Sequence, residues 1–290
     1  MRFRPVVPPG LALIAALAAV PAVAAGIFAT PAAPPPPPAE ADWRTPDPQN
    51  VLVIDTNKGR IFVEMNPTAA PLAVARVREL TKSHLYDGRA FFRVIDDFMA
   101  QTGDPKDTGT GGSALPNLAL EANFRRSSDI PFTPVTTLGG LDAGFIGSLP
   151  VISQSMSLGE LTGDHKVTAY GTFCTGVAGM ARADDPDTAN SQFFLMRHEH
   201  PQLDQKYAAW GRVIAGLDVV RNIKPGEPPA PPADQMTKVR LLADMPPGDR
   251  PVVKVIDTRS AWFKAMIERV KTDKVVEFSL CDLDLPSQVK

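Results

Sequence analysis

The sequence predicts a mainly β fold: an antiparallel sheet closed into a barrel and capped by two helices, with a long loop insertion and a C-terminal extension of one strand and one helix. Short apolar runs recur between residues 50 and 224, and turn residues bound them. Helical patterns interrupt these runs at only two places. Many short strands with few helices are typical of an antiparallel barrel.

The length and charge of the chain limit the kinds of protein it can be. With 290 residues, of which 44% are hydrophobic, it is long enough for one decorated domain or two modest ones. Its 30 basic and 32 acidic residues give a net charge of -2. Because the basic and acidic residues nearly balance, the chain has no strong basic field, and we expect no nucleic-acid partner.

The first 25 residues have the pattern of a secretory signal peptide. Arg2 and Arg4 provide a positive start, residues 11–20 form an apolar run, and residues 22–24 match a small-x-small cleavage site. Cleavage there predicts a periplasmic or secreted protein.

An uncleaved membrane anchor is the alternative for this segment. No charged residue occurs from Val6 to Ala39, and about 20 apolar residues suffice to span a bilayer. Pro21 and the weakly apolar alanine content argue against a stable span. We therefore expect contact with a membrane only if the segment stays uncleaved.

Residues 26–49 predict a semi-extended linker, because they contain the run Pro34 to Pro38 and no sustained apolar pattern. The folded domain is predicted over residues 50–224. It begins with two strands, at residues 51–56 and 60–65, which flank a turn and form a hairpin.

A helix is predicted over residues 67–82, where apolar residues from Leu72 to Leu80 follow a loosely helical spacing. Further strands are predicted at residues 90–95, 98–101, 177–182, 191–196 and 208–214, and a second helix at residues 217–223.

Two segments do not fit the spacing of the barrel strands. Residues 126–170 are rich in Gly, Ser, Thr and Leu with weak periodicity, so they predict a long loop insertion, of a kind that is usually functional or mobile. Residues 225–290 predict a C-terminal extension that is Pro-rich up to residue 250. It continues with a strand at residues 252–256 and a helix at residues 260–270.

The chain has two cysteines, Cys174 and Cys281, too few for a disulfide scaffold. In an exported protein two thiols can still pair. Closing a loop of this length would contribute about 4.7 kcal/mol in the chain-entropy model. The alternative, two separate buried thiols, is equally compatible with the sequence.

An arginine in an otherwise apolar strand is the first candidate for chemistry. Arg93 lies between Phe92 and Val94, and because side chains alternate along a strand, it points away from both. Such an arginine is paired, exposed on a polar face, or functional. Gln101 follows in the next predicted strand.

The block that contains both residues resembles a family signature. Residues 91–104 match F-x-R-x-x-x-x-F-M-x-Q-x-G-D, the signature of the cyclophilin-type peptidyl-prolyl cis/trans isomerases. Further segments resemble family motifs in the same order: the Gly-rich turn at 108–113, E-x-N-F at 121–124, M-A-R-A at 180–183, S-Q-F-F at 191–194, and L-D with W-G-R-V at 203–213. The matches span residues 50–224 and imply a cyclophilin-like barrel.

This resemblance implies an enzyme that accelerates rotation about X–Pro bonds in proline-containing polypeptides, without a cofactor. Amide resonance makes a peptide bond resist rotation by about 18–20 kcal/mol, and X–Pro bonds exchange slowly. A fixed guanidinium can donate to the prolyl nitrogen as the bond twists, an interaction made mainly in the transition state. By resemblance, Arg93 is this catalytic residue and Gln101 orients it.

The same resemblance implies an apolar pocket for the proline ring, with polar groups beside it for the substrate backbone. The implied pocket residues are Phe98, Met99, Phe194 and Leu203. The substrate is implied to extend along Arg182 and Ala183, near Gln192. Tyr207, where the family often has a histidine, still offers a hydroxyl and an aromatic face.

The chain departs from the family pattern at other positions. Asp96-Asp97 replaces a frequent Pro-Gly, Thr102 replaces a frequent Gly, and Gln202 replaces a frequent Trp at the pocket rim. These changes leave the arginine and glutamine in place and alter the surroundings of the pocket.

We predict weak binding of cyclosporin-like cyclic peptides, because Gln202 removes a large apolar surface from the pocket rim. Calorimetric titration with cyclosporin measures this affinity. Sub-micromolar binding would contradict the prediction.

Other functions remain to be weighed against the enzyme. A cyclophilin-like chaperone or binding module with little isomerase activity would use the same groove, but would not need both Arg93 and Gln101. No metal site is expected, because His198 and His200 lack a companion cluster and no H-E-x-x-H helix occurs. The oligomeric state cannot be predicted from the sequence.

Overall fold

The computed structural model of the protein describes residues 36–274 and 278–290. The predicted signal peptide, residues 1–25, and residues 26–35 of the predicted linker lie outside this part of the chain. Within it, no helix is both long and apolar enough to cross a membrane.

The described residues form a mainly β fold with few helices. The strands are β1 (Trp43–Arg44), β2 (Val51–Thr56), β3 (Gly59–Met65), β4 (Arg89–Ala90), β5 (Arg93–Val94), β6 (Met99–Thr102), β7 (Phe124–Arg126), β8 (Thr133–Leu138), β9 (Leu141–Ile146), β10 (Leu149–Gln154), β11 (Val167–Gly171), β12 (Val177–Met180), β13 (Phe193–Met196), β14 (Ala209–Ala215), β15 (Gln235–Leu241), β16 (Val253–Ile256) and β17 (Ser287–Val289). The α-helices are α1 (Pro71–Lys82), α2 (Leu217–Arg221) and α3 (Ala261–Asp273).

Nine strands form one curled antiparallel sheet, in the order β4-β15-β2-β3-β14-β12-β13-β6-β5. The two end strands of this order, β4 and β5, are separated by only Phe91 and Phe92 in the chain, so the sheet curls round on itself. The predicted mainly β, barrel-like fold is therefore confirmed.

Strand β2 is apolar on both faces because it separates two cores. Leu52 and Ile54 point into the barrel core, which also contains the fully buried Trp210. Val51 and Val53 point the other way, into a smaller apolar cluster. A strand with one solvent-exposed face would alternate apolar and polar residues. Because both faces of β2 are buried, its sequence is a continuous apolar run.

Helix α1 begins at Pro71, four residues later than predicted, and packs on the barrel through Val74, Val77 and other buried residues. Leu72, expected on its apolar face, is 46% exposed. Glu121 accepts hydrogen bonds of 2.8 Å from the backbone N–H groups of Leu72 and Ala73, which satisfies unpaired donors at the helix N-terminus. The E-x-N-F motif thus has a structural role.

The prediction of a loop at residues 126–170 is wrong, because this region is a folded sheet. Strands β7 to β11 form a five-stranded antiparallel sheet in the order β7-β11-β10-β9-β8. Its apolar face packs against helix α3, where Phe145 and Phe263 meet edge to face at 5.6 Å. The burial that stabilises the sheet comes from a helix far along the chain, so local periodicity did not reveal it.

The C-terminal boundary predicted at residue 224 is also wrong. Strand β15 lies between β4 and β2 in the barrel sheet, with Val239 opposite Ile54. The barrel therefore extends to Leu241, which lies within the Pro-rich segment that suggested its end.

The end of the predicted linker is part of the fold. Strand β1 pairs with β16, with Trp43 opposite Ile256. Arg44 makes a bidentate ion pair with Glu64, at 2.6 and 2.7 Å, on barrel strand β3. Trp43 also packs against the apolar cluster between α3 and the insertion sheet, the five-stranded sheet of β7 to β11.

The C-terminal tail is attached to the barrel by a disulfide between Cys174 and Cys281, the pairing that the sequence left open. Beside it, the tail covers the buried Arg212 of β14, whose guanidinium donates to the backbone oxygen of Leu283 at 3.4 Å. Burial lowers the pKa of Arg212 to about 10, although Asp284 opposes this shift.

Replacing both cysteines with serine is expected to lower the free energy of unfolding by about 2–5 kcal/mol, because the bond closes a long loop in the unfolded chain. Thermal unfolding with and without a thiol reductant measures this. The wild type should lose stability on reduction, whereas the double serine variant should be insensitive. Equal responses of both proteins would contradict the prediction.

Candidate active site

Arg93 lies at one edge of the curled sheet, opposite Gln101 on the neighbouring strand. Its Nη1 is 3.4 Å from Oε1 of Gln101, and its Nε donates to Oε2 of Glu227 at 2.7 Å. The Arg93 side chain is 40% exposed. A guanidinium held in this way presents its remaining N–H groups to a groove rather than to the core.

A row of side-chain amides fixes the orientation of Gln101. Its Nε2 donates to Oε1 of Gln192 at 2.8 Å. The Nε2 of Gln192 in turn donates to the backbone oxygens of Gly109 and Gly111, at 3.1 and 2.8 Å. Because both amides are held, Oε1 of Gln101 faces Arg93.

The Gly-rich turn that receives these bonds is built around the carboxylate of Asp104. This carboxylate accepts hydrogen bonds from the backbone N–H groups of Lys106, Thr108, Gly109 and Gly111. Burial alone would raise the pKa of Asp104, but these donors outweigh it and lower the pKa below its ordinary value. The ionised carboxylate therefore supports the turn at neutral pH and loses this role only in acid.

Beside Arg93 the groove deepens into a cavity of about 210 Å³, where aromatic and aliphatic side chains meet polar ones. Phe98, Phe194, Leu203 and Tyr207 line it, and Met99 lies at its floor. Phe194 on β13 lies opposite Gln101 on β6 in the sheet. One pair of strands therefore provides both an aromatic ring of the cavity and the amide that contacts Arg93. The cavity has room for a small ring.

The ring of Phe194 depends on a glycine that the sequence did not single out as functional. A Cβ at Gly179 would lie 2.4 Å from the Phe194 ring and 2.7 Å from the ring of Phe173. Only a residue without a side chain allows both rings to pack against β12. The aromatic identity of residue 194 was a signal for the pocket, whereas nothing local indicated Gly179.

The wall that contains Leu203 is anchored by the next residue, Asp204. Its carboxylate accepts hydrogen bonds from Thr172 Oγ1 at 2.7 Å and from the backbone N–H of Phe173 at 2.9 Å. Burial raises the pKa of Asp204, and the two donors oppose that shift. This geometry explains the L-D pair noted in the sequence.

Arg182 lies between this cavity and a second cavity of about 350 Å³, and it lines both. Its guanidinium lies 4.6 Å from the Tyr207 ring and donates to the backbone oxygens of Lys206 and Ala183. The second cavity is lined by Gln101, Gly109, Thr110, Gly111, Ala181, Arg182, Ala183, Thr188, Asn190 and Gln192. The candidate residues of the sequence therefore lie along a single groove.

The Asp96-Asp97 departure shapes the loop before Phe98. Asp96 accepts a 2.5 Å hydrogen bond from the buried Arg197. The backbone oxygen of Asp97 is 2.8 Å from a ring nitrogen of His200, and that ring packs against Phe98 at 4.6 Å. His200 thus supports the pocket wall.

Glu227 is a second residue of the site, after Gly179, that sequence reasoning missed. It lies in the Pro-rich segment assigned to the C-terminal extension, outside every matched motif. Only the path of the chain back to β5 reveals its contact with Arg93.

Comparisons with known proteins agree on one family. The family model described as cyclophilin type peptidyl-prolyl cis-trans isomerase/CLD matches residues 51–241. A probable peptidyl-prolyl cis-trans isomerase of Brucella suis is 31% identical over 191 residues, which are 62% of this chain and 74% of that protein. The peptidyl-prolyl cis-trans isomerase-like 1 of Rhizopus delemar is 29% identical over 172 residues, 59% of this chain and 78% of that protein.

Among solved structures, the chain is similar to that of cyclophilin AquaCyp293 from Hirschia baltica. The TM-score is 0.79 and the sequence identity 34%, and the match covers 85% of this chain and 93% of the other. This share is larger than residues 51–241 alone, so the likeness continues outside the part matched by the family model.

Proposed function

The chain belongs to the cyclophilin-type peptidyl-prolyl cis-trans isomerases, and from this premise we propose that Arg93 is its catalytic residue and that the enzyme acts on exported or folding proteins. The observation that carries the proposal is that Arg93 lines the same cavity as Phe98, Phe194 and Leu203. The reaction itself, rotation about an X–Pro bond, needs no bond to be broken.

In the proposed mechanism the proline ring enters the cavity lined by Phe98, Phe194 and Leu203. Its nitrogen then lies on the side of the cavity where Arg93 is held. As the amide twists, resonance is lost and the nitrogen regains a lone pair, to which a guanidinium N–H can donate a hydrogen bond. This contact is weak in the planar ground state, so it lowers the barrier more than it tightens binding.

The polar side of the groove orients the Arg93 side chain and borders the path of the substrate. Gln101 orients Arg93, and Gln192 orients Gln101. Arg182 and Ala183, fixed by their own backbone contacts, border the path on which we expect the substrate backbone to extend. Because these groups are held before the substrate arrives, little reorganisation is needed during rotation.

The proposed setting is an oxidising compartment outside the cytoplasm. Two features support it: the predicted signal sequence of residues 1–25 and the disulfide between Cys174 and Cys281, a bond that persists in the periplasm or outside the cell. Cell fractionation with sequencing of the mature N-terminus tests it. A mature chain that begins near residue 25 in the exported fraction supports the proposal, and an intact chain in the cytoplasm contradicts it.

Refolding of a protein limited by proline isomerisation tests the enzyme against the chaperone alternative. The enzyme should increase the rate of the slow refolding phase in proportion to its own concentration, at amounts far below that of the substrate. A holding chaperone would raise the yield of refolding without changing that rate. Activity on a short proline peptide, which offers little surface to hold, separates the two further.

A further inference from the structure

Glu227 is brought to Arg93 by the backbone rather than by chance contact of long side chains. Val94 and Gly226 exchange a pair of backbone hydrogen bonds, each 2.8 Å long, in an antiparallel bridge. In an antiparallel pair, the residues next to a bridge also face each other, so Glu227 lies directly opposite Arg93.

The turn after this bridge allows only glycine at residue 226. Its φ of +150° is rare for residues with a side chain, and a Cβ there would lie 2.4 Å from the Cα of Pro229. The path of the segment is therefore set by Gly226 and its bridge to Val94. Removing the Glu227 carboxylate leaves these backbone contacts in place.

The carboxylate is the closer of the two groups that hold Arg93. Oε2 of Glu227 is 2.7 Å from Nε, whereas Oε1 of Gln101 is 3.4 Å from Nη1, near the limit for a hydrogen bond. The guanidinium is planar, so an acceptor at Nε together with one near Nη1 fixes the plane of the whole group. This arrangement uses the Nε edge and directs the Nη groups towards the groove.

We propose that Glu227 is a positioning residue of the isomerase, holding the Arg93 guanidinium in the plane in which it meets the prolyl nitrogen. The inference rests on the proposed catalytic role of Arg93. A side chain that is 40% exposed would otherwise sample several rotamers, and only some of them would present N–H groups to the substrate. Loss of the anchor should therefore lower kcat and leave KM nearly unchanged.

The test compares kcat and KM on a short proline peptide for wild type, Glu227→Ala, Glu227→Gln and Arg93→Ala. We expect Glu227→Ala to lower kcat about two- to fivefold, the range for loss of a partly exposed charged contact, with KM unchanged. Glu227→Gln retains an acceptor oxygen and should lose less. In ¹⁵N NMR spectra, the Arg93 Nε–H signal should shift in both variants and exchange faster with water in Glu227→Ala.

Asp55→Ala is the matched control, because Asp55 pairs with Nε of Arg60 at 2.5 Å outside the groove, and the Arg60 side chain is 41% exposed, against 40% for Arg93. It should leave kcat unchanged. In an Arg93→Ala background, Glu227→Ala should cause no further loss, since a positioning residue acts only through the group it positions.

The outcomes separate this inference from the proposed function. If Arg93→Ala loses activity but Glu227→Ala retains its kcat or gains activity, the inference is wrong and the proposed role of Arg93 stands. A further loss from Glu227→Ala in the Arg93→Ala background also contradicts the inference. If Arg93→Ala remains fully active, the proposed function of that residue fails first.

Discussion

Replacing Arg93 with alanine is expected to lower kcat/KM for X–Pro isomerisation by a factor of about 100 to 1,000, the range observed when one preorganised donor of a transition state is removed. The reason is geometric, because Arg93 lines the cavity proposed for the proline ring and is held by Gln101 and Glu227 before substrate binds. Isomerisation of a short proline peptide, followed at several enzyme concentrations, measures the loss.

The control for this variant is Arg60→Ala. The Arg60 side chain is 41% exposed, against 40% for Arg93, and each arginine has a carboxylate partner on its Nε. Arg60 lies on the β2–β3 hairpin, outside the groove, so its loss should leave kcat/KM unchanged. Equal melting temperatures of the two variants would exclude a folding effect. A decrease of less than threefold in Arg93→Ala would mean that another group catalyses the rotation.

The apolar pocket and the row of amides were predictable because their residues come from short motifs on adjacent strands. Strands β5, β6 and β13 are neighbours in the sheet, so the motif around Arg93 and Gln101 meets the one around Gln192 and Phe194. The family resemblance indicated that these motifs belong to one site, which periodicity alone could not indicate.

Glu227 could not be predicted, since its role depends on a single backbone bridge between Val94 and a Pro-rich segment. Such segments were interpreted as boundaries, because proline cannot continue a helix or a central strand. Here the prolines instead shape a turn whose first residues reach the active site. The composition of the segment indicates a turn but not which strand the turn contacts.

The insertion and the C-terminal extension were predicted as two separate additions to the barrel, but they share one apolar core. Residues of β9 and β10 in the insertion and of α3 in the extension form a single apolar cluster. The helical spacing of residues 260–270 predicted the helix α3, whereas residues 126–170 showed only weak periodicity. Neither pattern indicates which surface the segment packs against, because the two partners lie far apart in the chain.

Replacing Phe263 with alanine is expected to reduce the free energy of unfolding by about 3–5 kcal/mol, the usual cost of deleting a buried phenylalanine. Phe263 has no exposed surface and meets Phe145 edge to face. Denaturant unfolding measures the total loss. Hydrogen exchange should locate it, with reduced protection in α3 and in β8 to β11 together, while the barrel strands β2 and β3 stay protected.

Lys264→Ala is the control for this change, because Lys264 is the next residue of α3 and its side chain is exposed. It should change the free energy of unfolding by no more than about 0.5 kcal/mol. Loss of protection confined to α3 in Phe263→Ala would show that the insertion sheet is stable without the helix. Loss in both segments would instead establish that two regions far apart in the sequence fold as one unit beside the barrel, which is the arrangement that their common core requires.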